Sequence, residues 1–204
     1  MEKTINLGSD NMKSKILKTD IMMVIILSFI GFCFEDIWMI FRHGVLDNRN
    51  MYLPFLLGYG LFVVALYYII GTPNKIFNKV KLKKPWSILI YFSVCFLLVS
   101  VGELLLGLFV EKTGGYSYWD YSSIPLHITK YTSVPTSLGF ALVITLFMDF
   151  IYLPLRNKVE KIVDKIPLVI VILILCILIV DFFISFKTMY TNDGRNILWS
   201  IRFR

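Results

Sequence analysis

The apolar residues of this chain neither alternate like a strand nor mark one face of a surface helix. They come in five near-continuous runs, roughly residues 21–42, 53–71, 87–110, 136–155 and 167–186. Each run is close to the ~20 residues that an α-helix needs to cross the hydrocarbon core of a bilayer. In lipid, a backbone must satisfy its own hydrogen bonds, so the runs predict helices. The expected fold is an all-α, polytopic transmembrane helical bundle of about five spans with short interfacial helices. Residues 1–20 read as a polar, loose N-terminal tail, 21–186 as the membrane domain and 187–204 as a basic C-terminal tail. Between the runs, residues 72–86 and 156–166 look amphipathic. Val159, Ile162, Val163 and Ile166 follow helical spacing, which suits an interfacial helix or the extension of a span.

Composition agrees. The chain is 57% hydrophobic and 17% charged, against about 25% charged in a soluble domain. The net charge of +7 would suggest nucleic acid in a soluble protein. Here it reads as topology, with no nucleic-acid partner, because the bases cluster by segment. Lys3, Lys13, Lys15 and Lys18 precede the first run. Lys75, Lys79, Lys81, Lys83 and Lys84 lie in 72–86, and Arg156, Lys158, Lys161 and Lys165 in 156–166. Five alternating spans place these three segments on one face. The positive-inside bias makes that face cytoplasmic, with the N-terminus, in a multi-pass plasma-membrane protein. Loops 43–52 and 111–135 then face outward. So does the C-terminal tail, despite Lys187, Arg195, Arg202 and Arg204. The first run is too long for a signal-peptide core and lacks a small-residue cleavage site, so it reads as a retained helix. Cys33, Cys95 and Cys176 lie inside apolar runs and read as packing residues.

The chemistry lies in acids within the runs. Glu35 and Asp36 sit in the first, Glu103 in the third, Asp149 in the fourth and Asp181 in the fifth. A mid-membrane Asp costs about 2.5–3.5 kcal/mol on the insertion scale, so such acids are expected to face the bundle interior. Helical spacing puts Ser28, Gly31, Trp38 and Arg42 on the stripe of Glu35, and Ser93, Ser100, Gly107 and Glu111 on that of Glu103. Glu35 and Glu103 are therefore expected to meet each other or a shared cavity in the outer half. Arg42, Arg49 and Lys130 are the expected countercharges. Asp36 reads as a passive neighbour paired with His43, and Asp149 as paired with Arg156. Asp181 has no base nearby and reads as protonated or partnered by another helix. Two readings of the glutamates stay open: staples between helices, or binders of a proton, a cation or the cationic part of a substrate. Tyr116, Tyr118, Trp119 and Tyr121 suit an aromatic belt at headgroup level. A faint parallel repeat is also legible, because Pro54-Phe-Leu-Leu-Gly58 and Pro135-Thr-Ser-Leu-Gly139 each follow an acid-bearing run.

Familiar catalytic signatures are missing. The chain has no Walker A motif, no H-E-x-x-H, no paired C-x-x-C and no G-x-S-x-G. No cofactor or metal is expected, and an enzyme is the less favoured reading. Three function classes remain: the membrane component of a transport system, a membrane-embedded enzyme acting on a lipid-linked substrate, and a non-catalytic scaffold or regulator. In the second, Glu35 and Glu103 would share a proton and Arg49 would hold a phosphate.

Several strings together resemble a known family. Gly31-Phe-Cys-Phe-Glu35 is followed by Asn48-Arg49, Pro54 and Gly58-Tyr59-Gly60. Glu103 is followed by Glu111-Lys-Thr-Gly114 and by Trp119-Asp120-Tyr121-Ser122, the most specific element. Over residues 20–155 the chain resembles the type IV ABC-transporter family of small bacterial membrane proteins. The resemblance implies a permease-like protein of unspecified substrate, with Glu35, Arg49, Glu103, Trp119 and Asp120 as substrate- or ion-binding residues. It also implies a separate ATPase subunit docking on the cytoplasmic loops. Five spans are few for a lone carrier, so an oligomer is expected. Many relatives carry an arginine in an Asn-rich stretch after Trp-Asp-Tyr-Ser. Here Lys130 supplies the charge without the planar fork.

Overall fold

The computed structural model describes residues 2–74 and 83–203, with side chains from Met12 onward. Six α-helices dominate these residues: α1 Glu2–His43, α2 Leu57–Ile69, α3 Lys84–Gly114, α4 Val134–Leu146, α5 Tyr152–Val163 and α6 Leu168–Thr191. A π-helical turn, Phe147–Ile151, joins α4 to α5 in one continuous run. Four short strands, β1 Val45–Asp47, β2 His127–Thr129, β3 Thr132–Ser133 and β4 Ser200–Arg202, form two antiparallel pairs, β1 with β4 and β2 with β3.

Among the described residues, four helices are long and apolar enough to cross a membrane: Met12–His43, Lys84–Gly114, Val134–Val163 and Leu168–Thr191. Only 11% of the most apolar stretch of Lys84–Gly114 is buried within the protein. Leu97, Val101, Leu105 and Phe109 of α3 are more than half exposed. In water an apolar flank of that extent would drive aggregation. Against hydrocarbon it is at rest, and the chain is an integral membrane protein.

Two expectations change. The N-terminal tail is not loose, because α1 begins at Glu2 and runs unbroken through residues 12–20. The expected second span is a helix of only 13 residues, about 20 Å long against a hydrocarbon core of about 30 Å. Pro54 and the turn-rich residues 48–56 delay its start. Segment 156–166 resolves as a span extension, with Val159 and Val163 buried and Ile162 exposed. Of the other amphipathic segment, residues 75–82, with Lys75, Lys79 and Lys81, lie outside the described residues.

The chain divides into two compact units. The first comprises the residues up to Leu66, Pro154–Met189 and those from Arg195 onward. Ile25 of α1 and Val171 and Leu178 of α6 form its apolar core, with Leu53 and Phe55 packed against them. A side chain on Gly60 of α2 would strike the Val24 carbonyl and the Ser28 hydroxyl of α1, and one on Gly31 would strike the Tyr59 ring. Small residues thus bring α1 and α2 together. At one end of this unit, Lys15 meets Asp164 at 2.8 Å and Lys18 donates to the Val163 carbonyl at 3.1 Å, while Arg156 pairs with Asp20. At the other end, β4 pairs with β1, in register Val45 with Arg202 and Asp47 with Ser200. Helices α1 and α6 therefore run parallel, and the C-terminal tail lies beside residues 45–50.

The second unit comprises Tyr67–Leu153 and Tyr190–Gly194. Tyr91 and Cys95 of α3 and Ala141, Thr145 and Met148 of the α4 run are buried in it. The Ser133 hydroxyl caps α4 by accepting the Thr136 N–H at 3.3 Å, and a proline stands in the first turn. Gly107 of α3 lies flush against the Tyr131 ring.

Candidate functional site

In the first unit the buried stripe of α1 passes through Ser28, Gly31, Phe32 and Asp36. Trp38 and Arg42, assigned by spacing to the inner face with Glu35, point outward. Glu35 is half-buried at the edge of the stripe, where its carboxylate accepts the Tyr59 hydroxyl. Asp36 is the buried acid, 6% exposed. Its Oδ1 lies 3.6 Å from Arg49 Nε, so its neighbour is Arg49 and the expected pairing with His43 is replaced.

Arg49 is held mainly by Asp47. Its Nε and Nη2 donate to the two carboxylate oxygens at 2.8 and 2.6 Å, and its backbone N–H donates to Oδ1 at 2.8 Å. This is the two-pronged geometry that suits a guanidinium. The expected role of Arg49 as countercharge to Glu35 or Glu103 gives way to this Asp36–Arg49–Asp47 cluster. An asparagine knot anchors it. Asn48 Nδ2 donates to the carbonyls of Met51 at 2.7 Å and Asn196 at 2.8 Å, and Asn48 Oδ1 accepts the Leu198 N–H at 3.0 Å. Asn196 returns bonds to Asn50 Oδ1 and O, each at 3.0 Å. Asn48 and Asn196 are both buried, so these pairings meet a real desolvation cost. Asp181 of α6, expected to be protonated or partnered by another helix, accepts the Leu53 N–H at 3.2 Å.

In the second unit Glu103 sits in a nest of hydroxyls. Oε2 accepts from Thr132 at 2.9 Å and Ser137 at 3.2 Å, and Oε1 accepts from Tyr121 at 3.3 Å. Thr132 and Ser137 are buried. The loop before α4 builds the nest. Trp119 Nε1 donates to the Tyr131 carbonyl at 2.7 Å, and the Tyr121 N–H to the Lys130 carbonyl at 2.8 Å. Trp119 thus fixes the loop. Asp120 is exposed and folds onto its own turn, its Oδ1 accepting the Ser122 N–H at 2.7 Å. The Ser122 hydroxyl and this N–H, both bonded to the carboxylate, hold the Asp120 carboxyl below its ordinary range. Lys130, expected to reach an intramembrane glutamate, pairs instead with Glu111 at 2.6 Å. Asp149 is likewise not paired with Arg156. Asn74 Nδ2 donates to it at 2.7 Å and Lys84 lies 3.6 Å away. Tyr116 packs against Gly114 and Gly194, and burial raises its phenol above the ordinary range.

Glu35 and Arg49 thus fall in the first unit and Glu103, Trp119 and Asp120 in the second, each acid with its own partners. The parallel repeat does not extend to those partners. Phe140, which aligns with Tyr59, has no hydroxyl to offer. What the halves share is a device: a glutamate four residues from a glycine that lies against a tyrosine ring, Gly31 with Tyr59 and Gly107 with Tyr131. Sequence reasoning missed Tyr59, Thr132 and Ser137 as acid partners, and Asp47 and Asn196 as anchors. The adjacent Asn48-Arg49-Asn50 string was the available signal for the knot.

Compared with protein-family models, residues 22–186 match the family described as "Putative ABC-transporter type IV". No curated protein and no solved structure matches the chain.

Proposed function

Because the chain belongs to that family, we propose that it is the permease-like membrane subunit of a transport system, driven by a separate ATPase. The observation that carries the proposal is the nest of Glu103, an acid midway along an apolar helix whose two oxygens are met by three hydroxyls. Hydroxyls hold a carboxylate in place without neutralising it. An acid so held in a membrane can take up a proton, a cation or a cationic group of a substrate. Glu35, bonded to Tyr59, is a second such station in the other unit. Arg49, fixed between Asp36 and Asp47, presents the adjacent charge cluster, and Trp119 and Asp120 shape the loop over Glu103. The N-terminal end of α1 and the exposed Lys158, Lys161 and Lys165 near α5 face the cytoplasm of a plasma membrane. They form the docking surface for the ATPase, and a second copy of the chain completes the pore.

The test is affinity purification in mild detergent, followed by ATPase assay in proteoliposomes. A nucleotide-binding partner should co-purify. Glu103→Gln should lower substrate-stimulated ATP hydrolysis at unchanged yield. Repeated absence of any nucleotide-binding partner would sink the transport reading. A lipid profile altered by Glu103→Gln would favour an enzyme in its place.

A further inference from the structure

The π-helical turn Phe147–Ile151 interrupts the membrane helix Val134–Val163. The Tyr152 N–H reaches back five residues to the Phe147 carbonyl. Such turns are rare and recur at functional sites, because they sacrifice regular geometry to re-aim a side chain. The side chain presented here is Asp149, 2% exposed. Its Oδ1 accepts from Asn74, while its Oδ2 has no hydrogen-bond partner among the described residues. Two residues before Asn74, Thr72 is fully buried, and its Oγ1 has no hydrogen-bond partner among the described residues. Buried polar atoms are nearly always satisfied, and each exception calls for an explanation.

Lys84 is the candidate for satisfying Asp149, and it does so poorly. Its Nζ stands 3.6 Å from Oδ2, and its side chain is 58% exposed. The same ammonium lies 5.7 Å from the centre of the Phe150 ring, a second resting place. An exposed lysine with two weak attachments is readily displaced.

We infer that the Asp149 carboxylate at this turn binds a small monovalent metal cation of sodium size, in competition with the Lys84 ammonium. The free ligand atom is a hard carboxylate oxygen, which suits an alkali cation and not a thiolate- or imidazole-seeking metal. A single carboxylate is too little charge for a divalent calcium site, which gathers several. The site is distinct from the Glu35 and Glu103 stations and stands whether or not those carry substrate.

The experiment uses the full chain in lipid nanodiscs. Thermal unfolding is followed as sodium chloride replaces choline chloride at constant ionic strength. Sodium should raise the melting temperature saturably and choline should not. Lys84→Gln removes the competitor and should lower the half-saturating sodium concentration several-fold. Asp149→Asn should abolish the response, and Glu103→Gln should keep it. The proposal is overturned by a wild type and Lys84→Gln that both ignore sodium, or by a response that survives in Asp149→Asn. A half-saturating concentration unchanged by Lys84→Gln also overturns it. So does stabilisation by acid alone with no sodium effect, which would make the ligand a proton. If Asp149→Asn does not fold, the Lys84→Gln comparison decides.

Discussion

Arg49 and Asn50 both adopt left-handed backbone, with φ of 46° and 60°. For residues with a Cβ this costs about 1–3 kcal/mol each. The surrounding bonds over-determine the turn: Asp47 takes the Arg49 N–H as well as its guanidinium, and Asn50 takes the Asn196 N–H. The fork matters beyond its charge. Arg49→Lys should keep the ion pair, lose one of two side-chain bonds to Asp47, and destabilise the protein by about 1–2 kcal/mol. Thermal unfolding in detergent measures it, and an unchanged melting temperature would show that charge alone suffices. Asp120 offers a pH test. Its folded pKa lies below the ordinary 3.8, so its contribution is present above that value and is lost as pH falls through the folded pKa. The carboxyl resonance of Asp120 should therefore titrate below 3.8, and Ser122→Ala should move it upward. A titration at the ordinary value would remove Ser122 as the cause.

At the scale of elements, glycines decide how closely helices approach. Gly60 has the Val24 carbonyl where a side chain would go, and a backbone atom of a helix cannot swing aside. Gly60→Ala should cost about 1–3 kcal/mol through overpacking and separate α2 from α1. Gly58→Ala, with open space at that position, should be tolerated. Equal melting temperatures for the two variants would contradict the α1–α2 packing. The short α2 follows from residues 48–56: Asn48, Asn50 and Pro54 lie in turns, so the helical part of the run begins only at Leu57. The apolar run 53–71 is long enough on paper, but its first residues are bends rather than helix, and Leu53 donates its N–H to Asp181.

At the scale of the molecule, the parallel course of α1 and α6 fixes the sidedness of the first unit. Single cysteines at Arg195 and Asn50 should react with an impermeant maleimide from one face of sealed vesicles, and one at Lys161 from the other face. Labelling of Arg195→Cys and Lys161→Cys from the same face would break the topology. The sequence by itself determined that the chain lives in a membrane, that it is helical and where its apolar runs lie. The reason is that hydrocarbon demands local closure of every backbone hydrogen bond, and helices close theirs within a single run. It also marked Glu35 and Glu103 as residues needing partners, because an acid among apolar residues is costly wherever it points. Only the tertiary structure decided which partners they have. A spacing of 3.6 residues per turn assigns residues to a stripe but leaves the rotation of that stripe against its neighbours open, and so it misassigned Asp36, Trp38 and Arg42. The bonds that set the rotation join residues far apart in the chain, Asn48 with Asn196 and Glu103 with Thr132 and Ser137.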